Sequence, residues 1–78
     1  MSDAPSFEVF VHEKLGRIFG EKRARELVRV TLRDAQIPAL NTAEDLLQFG
    51  RFLERRGGFE GAVGAMFTVH AVLKGARE

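Results

Sequence analysis

Three interruptions constrain what this chain can build: Gly20, the pair Ile37-Pro38, and Gly57-Gly58. Glycine accepts the positive φ found at helix ends, and proline pushes the residue before it out of helical geometry. The four segments they separate each carry apolar residues at the three- and four-residue spacing of a helix. The sequence therefore predicts an all-α fold, a compact four-helix bundle-like single domain over residues 1–78 with short connections. The helices are expected at about 6–19, 21–36, 42–56 and 58–74.

In the first segment Phe7, Phe10, Val11, Leu15, Ile18 and Phe19 share one face, with His12, Glu13, Gly16 and Arg17 opposite. Ser6 or Asp3 is placed to cap its start. The second segment turns Ala24, Leu27, Val28, Thr31, Leu32 and Ala35 inward. Its outer face is almost wholly charged, and Glu21 with Arg25 and Lys22 with Glu26 form i,i+4 pairs worth about 0.2–0.5 kcal/mol each. Asn41 with Glu44, or Thr42 with Asp45, has capping-box spacing ahead of Leu46, Leu47, Phe49, Phe52 and Leu53 in the third segment.

The fourth segment differs in kind. Val63, Met66, Phe67, Val69, Val72 and Leu73 surround the helical wheel, so nearly every side needs cover. Such a helix is either the centre of the bundle or part of an interface. Face centres across all four segments predict a core of Phe10, Leu15, Ile18, Val28, Leu32, Leu46, Phe49, Leu53, Val63, Met66, Phe67 and Leu73.

At 78 residues the chain lies near the lower limit for one unaided core, and it has no cysteine for disulfides or thiolate metal sites. Apolar residues make up 45%, so burial must come from packing, and pairing with a copy would extend it. The net charge of +1 is less basic than a dedicated nucleic-acid-binding domain usually shows. The start lacks the basic region and apolar core of a signal peptide, and the longest apolar run, 61–73, is too short to span a bilayer. A whole, cytoplasmic protein is the expectation.

No catalytic, cofactor-binding or small-molecule substrate constellation stands out. Ser2 and Ser6 lie in the opening segment, and His12 and His70 have no nucleophile nearby in sequence. Glu8 and His12 lie one turn apart and could supply two metal ligands, but a surface hydrogen bond explains the pair more simply. The chain is thus read as a non-enzyme with no cofactor and no metal.

Two features remain for binding. Gly57, Gly61 and Ala65 recur every four residues beside Gly64 and Thr68, a small-residue stripe along which another helix can approach closely. That helix is either one of the first two helices of the same chain or a partner's. With Phe59 and Phe67 as aromatic anchors and His70 on the same helix, this stripe makes the leading reading a protein–protein interaction module. It would act as an adaptor or regulator and self-associate, as a homodimer, through the fourth helix. The alternative is a small DNA- or RNA-binding regulator using Lys22, Arg25, Arg29 and Arg33, which could follow a phosphate backbone or meet an acidic partner. Against it, the 37–41 connection is long for a helix-turn-helix, and the next helix opens with Glu44 and Asp45. A bundle enclosing an apolar molecule near His70 is a third, weaker option.

Overall fold

The computed structural model describes residues 7–76. Among them four helices follow in order, α1 (Glu8–Phe19), α2 (Glu21–Ala35), α3 (Ala43–Glu54) and α4 (Gly58–Leu73), with no strand in the described residues. The fold is all-α, and no described helix is long and apolar enough to cross a membrane.

The expected punctuation operates with shifts of one or two residues. At Gly20 the backbone takes φ 89°, so one residue ends α1 and opens α2. The residue before α1 is Phe7, without a side-chain cap; Ser6 and Asp3 lie outside the described residues. α2 stops at Ala35 because Gln36 is left-handed, with φ 59°. The amides of Gln36 and Ile37 then donate back to the carbonyls of Arg33 and Leu32 at 3.1 and 3.0 Å. Of the two capping boxes that the spacing allows, the one formed is Thr42 with Asp45. The Asp45 amide donates to Thr42 Oγ1 at 3.0 Å, and the Thr42 amide donates to Asp45 Oδ2 at 3.1 Å. α3 ends at Glu54, and Gly57, with φ 71°, turns the chain into α4.

The helices form two hairpins, α1–α2 and α3–α4, joined where α2 lies on α3. The α3–α4 pairing is by far the closest. By contrast, α1 and α4 have no close backbone approach and meet through rings. Phe10 packs edge-on to Phe67 at 5.8 Å and stacks on His70 at 4.4 Å, and Phe19 meets Phe59 at 5.5 Å. The α2–α3 connection also reaches α1. Leu40 in this loop is fully buried, its carbonyl accepts from the Phe7 amide at 2.8 Å, and its amide donates to Glu8 Oε2 at 3.4 Å.

Leu15, Val28, Leu46, Phe49, Leu53, Val63 and Phe67 are buried as expected, while Phe10 and Leu32 pack against the core only in part. Three expected core residues are not in it: Ile18 is 38% exposed, Met66 41% and Leu73 78%. Their places are taken by Val11, Leu27, Leu40, Leu47 and Ala71. For Met66 and Leu73 the reason lies in how α4 is oriented, because a helix apolar all round gives no indication of which side turns inward; Ile18 stands one residue before the end of α1. α4 is not central to the bundle. α3 covers one side, rings from α1 cover part of another, and the rest is uncovered.

The two expected i,i+4 pairs of α2 are replaced by a different network. Arg23 donates to Glu26 at 3.1 Å and to Glu60 on α4 at 2.7 Å, and Arg56 donates to Glu60 at 2.6 Å. Glu60 thereby ties α2 to the hairpin turn.

Candidate functional site

Glycines determine which way α4 faces. A Cβ at Gly64 would lie 2.7 Å from the Gly50 carbonyl oxygen and 2.9 Å from Glu54 Cα; one at Gly61 would lie 2.9 Å from the Glu54 carbonyl oxygen. From the other side, a Cβ at Gly50 would meet Thr68 Oγ1 at 2.7 Å and the Gly64 carbonyl oxygen at 2.9 Å. Real side chains do not approach main chain this closely, so α3 and α4 cross with their backbones in contact. Thr68 Oγ1 closes the crossing by donating to the Gly64 carbonyl at 3.1 Å.

The small-residue stripe is therefore real, but its occupant is α3, not α1, α2 or another chain. Gly61 and Gly64 are buried within the domain and offer no outer surface. Phe67 is also removed as a partner anchor. It is fully buried, edge-on to both Phe10 and Phe49. Ala65 is half-buried, Gly57 is exposed at the turn, and His70 is half-buried under the Phe10 ring. Only Phe59, 65% exposed, remains available as an aromatic anchor.

The uncovered side of α4 lies across the helix from the glycines. At 100° per residue, Phe59, Ala62, Met66, Val69 and Leu73 fall within about 80° of one another. Phe59, Val69 and Leu73 are 60% exposed or more, and Val72 extends the edge. Between Gly58 and Leu73 every exposed residue is glycine or apolar. The polar groups of α4, Glu60, Thr68 and His70, are all part-buried and turned toward the rest of the domain. Met66 and Leu73, expected in the core, lie on this outer face. Their true signal was the unbroken three-four spacing running from Phe59 to Leu73.

Charge is concentrated elsewhere. Lys22, Arg25, Arg29 and Arg33 are all exposed on α2, and Arg33 approaches Asp34 at 3.7 Å. Arg25 borders a shallow α1–α2 groove that also holds Arg17, His12 and the carboxylates Glu13 and Glu21, so this surface alternates in sign. Between Arg56 and Arg23, Glu60 accepts hydrogen bonds that hold its carboxyl below the usual carboxylate range, the Arg56 bond contributing most. Among the described residues no group of three or more His, Asp or Glu side chains is placed to hold a metal.

At the α2–α3 junction, Thr31 is 2% exposed, and its Oγ1 has no hydrogen-bond partner among the described residues. Compared with family models, curated proteins and solved structures, the chain matches none.

Proposed function

We propose that this protein is a small non-enzymatic interaction module, an adaptor or regulator, that self-associates through the outer face of α4. One observation supports the reading: the exposed positions of α4 are without exception apolar or glycine. Apolar surface left in water costs about 25 cal/mol per Å² relative to burial, and contiguous patches of this kind mark association sites. Phe59, Met66, Val69 and Leu73 carry the contact, and the glycine stripe serves the fold beneath it.

Sedimentation equilibrium at tens of micromolar is expected to give twice the 8.7 kDa chain mass. Val69→Glu returns the mass to that of the monomer, with helical content and the monomer's unfolding midpoint little changed, because Val69 is 60% exposed. A wild type that stays at the single-chain mass over this range overturns self-association. If the mass stays single while random duplex DNA binds at low salt and Arg29→Glu abolishes that binding, the arginine row of α2 is the functional surface instead.

A further inference from the structure

The order of residues on the outer face of α4 contains information about the partner. Phe59, Ala62, Met66, Val69 and Leu73 are separated by three, four, three and four residues. That repeat stays on one line along a helix, so the matching surface is a second helix lying nearly along the first, at about 20° to it. The line is about 21 Å long at 1.5 Å per residue. Phe59 and Leu73 are each seven residues from Met66, the midpoint of the line. A patch that pairs with its own copy makes an isologous contact, and a two-fold axis across the midpoint sets each end of the line against the opposite end of the other copy.

Charge and area also favour a second copy. No charged side chain is exposed between Gly58 and Leu73, and the chain carries only +1, so two copies approach without appreciable repulsion. At the observed exposures the stripe offers on the order of 500 Å² per copy, so a pair reaches the lower bound for a specific interface, about 1,000 Å² in all. Direction follows from the helix ends. Side by side and antiparallel, two α4 helices oppose their dipoles, whereas parallel pairing sets like ends together.

Resting on the self-association reading, we infer that two copies pair antiparallel through α4 with Met66 at the two-fold axis, Phe59 of each copy lying against the end of the other helix that carries Leu73. The chain contains no cysteine, so single cysteines report the arrangement without background. Met66→Cys, Phe59→Cys and Leu73→Cys are made in the full chain, oxidised mildly near the concentration at which the wild type dimerises, and run without reductant. Met66→Cys is expected to link to itself, and an equal mixture of Phe59→Cys and Leu73→Cys to link at least about fivefold more than either alone. A mixture giving no more linked product than the single variants overturns the antiparallel arrangement, and self-linking by Phe59→Cys and Leu73→Cys identifies parallel pairing. Sedimentation of the wild type and of each reduced variant separates the two failures. A dimeric mass with the wrong linking pattern defeats only the geometry, whereas a single-chain wild type defeats the self-association reading with it.

Discussion

On α2 every exposed residue is charged: Glu21, Lys22, Arg25, Glu26, Arg29, Arg33 and Asp34. On α4 every exposed residue is glycine or apolar: Gly58, Phe59, Ala62, Met66, Val69, Val72 and Leu73. The two helices are of similar length and each buries one side in the same small core. What separates them is the solvent they suit. Water already satisfies the outer face of α2, and covering it would mean stripping hydration from several ions. The outer face of α4 gains by leaving water. The amphipathic helix is complete as a surface, and the apolar one, on the reading proposed above, is half of a contact.

The strongest way to break this comparison is to disturb how α4 is seated. Gly64→Ala is expected to cost about 2–4 kcal/mol despite the better helix propensity of alanine, since the new methyl meets main chain of α3. Urea unfolding checks it, with Ala62→Leu on the outer face as the matched control, expected to move monomer stability by less than about 0.5 kcal/mol. Equal effects from the two variants would mean that α4 is not oriented as described. A smaller effect tests the inner face of α2. Thr31→Val keeps the shape and removes a buried hydroxyl that has no hydrogen-bond partner among the described residues, so a gain of about 1 kcal/mol is expected in the same experiment.

Smallest is the tie between the two helices. Glu60 has its carboxyl held below its ordinary value near 4.5, so it binds protons more weakly folded than unfolded. Its contribution is fully present above that ordinary value and is lost as pH falls through it toward the lower folded value. Between about pH 5 and pH 3 the wild type should therefore lose more stability than Glu60→Gln, by at most about 1 kcal/mol for a pair this accessible. Parallel acid profiles would show the link to be idle.

On α2, where polar and apolar faces contrast most, the sequence was readable. Ala24, Leu27, Val28 and Thr31 point inward on α2 as their spacing predicts, because seven exposed charged residues leave one way to turn. The capping box at Thr42 and Asp45 was readable for a local reason, since its donors and acceptors lie within four residues. α4 was not readable in the same way. With apolar residues on all sides, periodicity shows that it is a helix and says nothing of its rotation, which is why Met66 and Leu73 stand in the predicted core and outside the real one. The deciding clue lies on another segment. Gly50, in the interior of α3, costs helix propensity of about 1 kcal/mol and is the counterpart that draws the glycines of α4 toward α3. Leu40 escaped for the opposite reason, as a loop residue with no period to betray its burial.

The crossing of Gly50 with Gly64 also restricts how this sequence can change. When two side chains collide, a neighbour can shrink and restore the fit. At this crossing a new methyl meets carbonyl oxygen and Cα atoms, which every amino acid carries in the same place, so no substitution elsewhere on α3 or α4 can make room. Drift is open at the exposed outer positions of α4 and closed at these two glycines. On the proposed reading, partner preference can therefore evolve on one side of the helix without disturbing the fold set by the other.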